Sequence, residues 1–247
     1  MTLSKENIVC GKRVIREVIK QKINIEILYV SKTLNRESIS DIIDYVKEIG
    51  GEVKIVCSND IDNICENRVN QGIACKISGY KFYKFDECLN ELKNQSRAFV
   101  LILDGIQDPQ NLGSIIRSAE CMGIKHILIP QKRSVGITDV VWKASMGAVA
   151  HLKICRVNNL YNAILRLKEN FFKVVATTID GENYVNEIQY DFNVALVIGN
   201  EHQGIRDSLV KQCDIKVKIP MYGSITSFNA SVAAGIVMYE IKNKQRR

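Results

Sequence analysis

Three short stretches of this chain assemble residues able to hold and polarise a small polar ligand. The first is Asp104-Gly105-Ile106-Gln107-Asp108-Pro109-Gln110-Asn111-Leu112-Gly113, which runs into a helical pattern carrying Arg117 in its second turn. Asn111 can cap that helix through its side-chain oxygen. Arg117 falls off the apolar face made by Leu112, Ile115, Ile116, Ala119 and Met122. It is either a solvated partner of Glu120, three residues on, or a planar fork able to clamp a phosphate. The second stretch, Gly199-Asn200-Glu201-His202-Gln203-Gly204, follows the apolar run VALVIG. Its glycines predict close backbone approach or positive φ, and Glu201 either caps the next helix or binds a basic neighbour. Neither loop has the G-x-G-x-x-G form, which argues against a nicotinamide site of the Rossmann type. The third stretch runs from Ile219 to Asn229 and feeds a helix start rich in small residues, Ala230 to Ile236. By its own physics it is a tight, polar, buried turn before a helix that another backbone can approach closely.

These stretches need a scaffold that gathers them. Strand patterns at Phe99–Leu103, His126–Pro130, Leu152–Val157, Lys173–Ile179, Val194–Ile198 and Asp214–Ile219 alternate with helical patterns at Leu112–Met122, Thr138–Met146, Leu160–Asn170 and Ser227–Lys242. Such alternation predicts a mostly parallel sheet covered on both faces. Ligands bind beyond the carboxyl ends of the strands in sheets of this kind, and the three stretches follow the first, fifth and sixth strands. Upstream lies a smaller α/β unit. It has helical spacing through Val14, Val18 and Ile19, a strand at Ile25–Val30, and a helix at Glu37–Ile49 stopped by Gly50-Gly51. A strand at EVKIVC, a short helix at Ser58–Cys65 and a strand at GIACKI complete it. Gly79–Arg97 is charged and reads as linker plus helix rather than core. The expected domains are residues 1–78, 79–97 and 98–247.

Composition narrows the function classes. With 247 residues, 46% hydrophobic and 25% charged, the chain has the make-up of an ordinary globular protein. No apolar run approaches the ~20 residues of a membrane span. The start, MTLSKENIVC, is too polar for a signal peptide, so no membrane partner is expected and the location is expected to be cytoplasmic. A net charge of +7 is compatible with an RNA partner. The eight cysteines include no C-x-x-C pair, and His126, His151 and His202 lie far in sequence from any cysteine cluster. No metal site is therefore expected. The cysteines, several of them inside apolar runs as Cys57 and Cys75 are, read as reduced structural thiols.

DPQNLGSIIRSAECMG, LVIGNEHQGIR and IPMYGSITSFNASVAAGIVMYE, in that order, resemble the three motifs of the SpoU/TrmH class of SPOUT RNA 2′-O-methyltransferases. ASMGAVAHL, between them, is similar too, and the first segment resembles the small substrate-binding domain of the RlmB-like members. The resemblance implies an α/β fold in two parts: a small N-terminal α/β RNA-binding domain, then a C-terminal SPOUT α/β domain with a deep trefoil knot. It implies S-adenosyl-L-methionine as cofactor, a homodimer with active sites near the subunit interface, and RNA as substrate, most closely a guanosine of 23S ribosomal RNA. Carried over by position, Asn111, Arg117, Glu201, Ser227 and Asn229 are catalytic or site-organising. Gly199, Ile219 and Phe228 touch the cofactor through their backbone, with Met221 beside them.

The implied reaction is attack of a ribose 2′-hydroxyl on a sulfonium methyl, with no metal. In this family the motif-one arginine is often assigned as the base. Arginine stays protonated in proteins, so Arg117 is read here as holding the RNA phosphate and stabilising developing negative charge. Asn229, Ser227 and Glu201 then orient the groups. Phe228 stands where leucine is common, Asn200 where serine is frequent, and Asn70 where RlmB-like proteins usually carry histidine. A transfer-RNA or antibiotic-resistance ribose methyltransferase is the alternative. The ribosomal reading is preferred because the first domain is RlmB-like and the chain stops at Arg247, whereas transfer-RNA members often extend further. A third reading, an RNA-binding assembly protein without catalysis, is opposed by the joint presence of Asn111, Arg117, Glu201 and Asn229.

Overall fold

The computed structural model describes residues 7–67 and 69–245, which fall into two units. The first takes in the residues up to Lys81 and also Ile137–His151. It is built from β1 (Ile8–Cys10), α1 (Lys12–Lys20), β2 (Ile25–Ser31), α2 (Ser40–Glu48), β3 (Glu52–Val56), α3 (Ser58–Ile64) and β4 (Ile73–Ile77). The sheet order is β1-β4-β2-β3. β4 runs antiparallel to both β1 and β2, and β2 pairs with β3 in parallel. β4 is a central strand, so Ile73, Ala74, Cys75 and Ile77 are all buried, while β3 at the edge stays largely exposed. α1 is amphipathic as expected and buries Val14, Ile15 and Val18.

Two features of this unit differ from expectation or refine it. Cys10 and Cys65 are joined as a disulfide, not kept as free thiols. They stand 55 residues apart in sequence and meet only because β1 and the end of α3 share the small core with Tyr29 and Ala74. Asn70 acts structurally. Its amide nitrogen donates to Asp62 Oδ1 at 2.7 Å and its oxygen accepts from Gly72 N at 2.8 Å.

The second unit holds α4 (Phe85–Lys93), β5 (Phe99–Asp104), α5 (Pro109–Cys121) and β6 (His126–Pro130). The chain then contributes α6 (Asp139–Ala144) to the first unit, where it packs on β1. In the same segment Gly147, at φ +82, lies so close to Glu17 that an added Cβ would meet that side chain at 2.7 Å. His151 Nε2 also bonds Glu17, at 2.8 Å. The second unit resumes with β7 (Lys153–Val157), α7 (Leu160–Glu169), β8 (Phe172–Thr177), β9 (Asn183–Tyr184), β10 (Asn193–Gly199), α8 (Asp207–Val210), β11 (Ile215–Lys218) and α9 (Ala230–Gln245).

Its seven strands are all parallel, in the order β7-β6-β5-β10-β8-β11-β9. β5 and β10 lie in the middle, which is why FVLIL and VALVI are continuous apolar runs. α4 belongs to this core, since Cys88, Leu89 and Leu92 are buried with Cys155 and Leu160; the charged stretch read as lying outside the core carries one buried face. From β5 the chain turns outward to β6, whereas from β10 it crosses over β8 to β11. The crevice between β5 and β10 is thus a topological switch point, where open parallel sheets place ligands. Among the described residues, no helix is long and apolar enough to cross a membrane, and no cluster of three or more His, Cys, Asp or Glu could hold a metal ion.

Candidate active site

β5 and β10 end level with one another, with Gly199 in register with Asp104. The first two stretches therefore leave the sheet side by side. Asp108, not Asn111, caps α5: its carboxylate accepts from Gln110 N at 3.0 Å and Asn111 N at 3.3 Å, and Pro109 fills the first helical position. Asn111 is thereby released for other work. Its Nδ2 donates to Glu201 Oε1, and its Oδ1 accepts from Asn229 Nδ2 at 3.1 Å. Asn229 in turn caps α9, accepting from Ser231 N at 2.9 Å and Ser231 Oγ at 2.6 Å. One residue from each of the three stretches has entered a single hydrogen-bonded chain. Glu201 is not a helix cap, because α8 begins only after Arg206.

The loop carrying Glu201 is pinned at its base. Asn200 and Gly204 form a bridge, and Asn200 Oδ1 accepts from His202 N at 2.9 Å and Gln203 N at 2.7 Å. The two glycines divide the expected roles: a Cβ on Gly199 would lie 2.1 Å from Gly204 C, while Gly204 itself has φ +65. Asp104, 3% exposed, grips Arg206 through the backbone N–H (2.9 Å), Nε (2.9 Å) and Nη2 (2.7 Å). This bidentate pair joins the end of β5 to the exit of the second loop.

Beside the chain of side chains lies a cavity of 440 Å³, within the range of small-molecule sites. Gly199, Glu201, Ile219, Met221, Ser227 and Phe228 line it. So do Thr177 and Thr178, whose hydroxyl oxygens are buried without a hydrogen-bond partner among the described residues. Sequence reasoning missed these threonines because the strand pattern runs on to Ile179, whereas β8 stops at Thr177. It missed the Asp104–Arg206 pair because their positions lie 102 residues apart. Asn111 and Asn229 stand at the rim rather than among the lining residues. Arg117 is exposed on α5, outside the lining. It is not paired with Glu120, which bonds Lys125 at 3.4 Å. Contrary to the buried turn expected, the third loop is exposed from Met221 to Asn229, with Tyr222 98% and Ile225 78% accessible.

With this geometry the chain can be compared with known proteins. Residues 98–239 match the model of the SpoU rRNA Methylase family, and residues 8–83 that of RNA 2′-O ribose methyltransferase substrate binding. A Staphylococcus epidermidis protein assigned to the TrmH family of tRNA/rRNA methyltransferases is 36% identical over 241 residues, 97% of this chain and 96% of that protein. An AdoMet-bound rRNA methyltransferase from Sinorhizobium meliloti superposes with a TM-score of 0.84 at 23% identity, covering 97% of this chain and 88% of that one. AviRb of Streptomyces viridochromogenes, a SpoU methyltransferase solved with AdoMet, gives 0.81 at 20% identity, covering 98% and 92%.

Proposed function

Taking as premise that the chain belongs to the SpoU rRNA Methylase family, we propose that it transfers a methyl group from S-adenosyl-L-methionine to a ribose 2′-hydroxyl of RNA, on a guanosine of 23S ribosomal RNA. The observation that carries the reading is the chain Glu201–Asn111–Asn229 at the rim of the 440 Å³ cavity. The cavity suits the cofactor: the hydroxyls of Thr177 and Thr178, without a partner among the described residues, await polar groups, and Gly199, by admitting the Gly204–Ile205 peptide, keeps the loop folded against the cavity wall. Gly199, Ile219, Met221 and Phe228 would hold it. When bound, S-adenosylmethionine supplies an electrophilic methyl on its sulfonium.

The protein's own part is positioning and electrostatics. Glu201 fixes the Asn111 amide, Asn111 fixes Asn229, and Ser227 lies on the same wall. Arg117 faces solvent, and its planar fork suits an RNA phosphate beside the reacting ribose, where it also stabilises the developing oxyanion. The substrate-binding segment at residues 8–83 supports an RNA substrate. The exposed apolar row of Tyr222, Ile225, Val232 and Tyr239 supports a homodimer built on the third loop and α9, and sedimentation at micromolar concentration checks it.

The test uses total RNA from a strain deleted for the gene, with purified protein and methyl-labelled cofactor. Label in alkali-resistant dinucleotides of 23S RNA is expected. Arg117→Ala should abolish it, and Arg117→Lys separates fork geometry from charge. Near-normal turnover in Arg117→Ala, or label confined to transfer RNA, would overturn the corresponding part.

A further inference from the structure

Three strands out from β10, at the edge of the same parallel sheet, a second pocket of 290 Å³ opens at the carboxyl end of β7. At ~4.8 Å per strand it lies about 14 Å across the sheet from the end of β10. Its walls are Phe85, Arg156, Asn158, Asn159, Asn162 and Arg166. Arg156 is laid flat on Phe82, its guanidinium carbon 4.1 Å from the ring centroid, and Arg166 covers Phe85 at 4.9 Å. Arg166 is partly neutralised by Asp86, whereas the exposed Arg156 has no ion pair or hydrogen bond among the described residues. The amides of Asn158 and Asn162 face solvent with donors and acceptors to spare.

Between the two pockets, the strands' carboxyl ends continue the same charge. The loop after β6 exposes Lys132 and Arg133, and α5 exposes Arg117. Carboxylates on β5 and α5 are already engaged, Asp104 by Arg206, Asp108 by the backbone of α5 and Glu120 by Lys125. A basic track thus leads from the catalytic crevice to a pocket walled by Phe85 beneath Arg166, by Arg156 on Phe82, and by the amides of Asn158 and Asn162, while Asn159 caps α7. A stacking platform, a phosphate fork and unspent amides together match a nucleotide in single-stranded RNA.

We propose that this edge pocket binds an unpaired nucleotide flanking the methylated one, with Arg156 on its phosphate and Asn158 and Asn162 on its base edge. The inference rests on the RNA-methyltransferase reading and adds a second point of hold to it.

The full-length protein is titrated with a fluorescein-labelled ten-nucleotide RNA of mixed sequence across a salt series, and methyl transfer to total RNA is followed in parallel. Arg156→Glu should weaken oligonucleotide binding about tenfold, lower the slope of log Kd against log salt by about one, and raise KM for RNA with kcat held. Asn162→Asp, on the exposed face of α7, should do the same more weakly and serves if Arg156→Glu fails to fold. Lys173→Glu changes charge equally in another exposed cation–ring pair, over Phe192 at the opposite strand ends, and should leave binding unchanged. Binding and KM within twofold of wild type for both pocket variants would overturn the proposal. A wild type that binds the oligonucleotide but transfers no methyl group would instead sink the functional reading, with the binding arm still deciding the pocket.

Discussion

Removing either partner of the Asp104–Arg206 pair should have very unequal effects. Asp104 is 3% exposed and its carboxylate has no other charged partner among the described residues, while the Arg206 side chain is 40% exposed. In Arg206→Ala the carboxylate stays buried with only the backbone N–H of residue 206 to answer it, and stranding a buried charge costs about 3–5 kcal/mol. In Asp104→Asn the guanidinium can turn to water and the amide oxygen still accepts a bond, so the loss is that of a half-exposed ion pair, about 1 kcal/mol. At roughly 2–4 °C per kcal/mol for units of this size, the expected drops in Tm are about 6–20 °C and about 2–4 °C. Urea unfolding of the purified variants, followed by tryptophan fluorescence and circular dichroism, measures both. Equal losses, or an Arg206→Ala variant within about 0.5 kcal/mol of wild type, would refute the argument that burial of the carboxylate sets the cost. Because the pair anchors the loop bearing Glu201, both variants should also lose turnover in excess of their loss of folded protein.

Thr177→Val replaces a buried, unpartnered hydroxyl by a methyl group. It should raise stability by about 1 kcal/mol yet weaken S-adenosylmethionine binding roughly tenfold; calorimetric titration showing unchanged affinity would remove Thr177 from the cofactor wall. Gly199→Ala would drive a methyl into the Gly204–Ile205 peptide, and should cost about 3 kcal/mol or more and abolish the thermal shift produced by the cofactor. His126 is held below its ordinary value of 6.5 by burial, against the opposing pull of Glu91. Its folded form is therefore neutral, and stability complete above about pH 6.5 should fall as pH drops through the lowered value. Glu91, held low chiefly by Lys153, is lost only below its ordinary 4.5, so the two windows separate. A His126→Leu variant should flatten the slope of stability between about pH 7 and pH 5; an unchanged slope would contradict this assignment.

Much of the second unit was legible from its residues. Runs such as VALVIG read as strands buried on both faces, and the helix pattern at Leu160–Asn170 matches α7, whereas α5 starts at Pro109, three residues before the Leu112 expected. Six of the nine proposed site residues line one cavity because they follow strands of one parallel sheet, whose carboxyl ends must share an edge. Illegible were the contacts that depend on strand order. Nothing in the sequence places β10 between β5 and β8, and so nothing pairs Asp104 with Arg206 or brings Thr177 to the cavity. The Cys10–Cys65 bond was hidden in the same way, and α4 was misjudged because charge on its outer face masked Cys88, Leu89 and Leu92 on its inner one. Asn111 was misread as a cap because Asp108, three residues earlier, competes for the role and has the better reach.

The chain from Glu201 to α9 has a sense as well as a position. Glu201 can only accept, so Asn111 must turn its nitrogen toward it and its oxygen toward Asn229; Asn229 must then give its nitrogen and keep its oxygen for the amides of Ser231 and Val232. Reversing any one amide reverses the demand on the next. A carboxylate at position 111 or 229 sets two acceptors face to face, whereas Glu201→Gln still offers an acceptor to Asn111. In proteins built on this plan, positions 111 and 229 should accordingly be inherited as one unit, changing together or not at all, although they lie far apart in the gene.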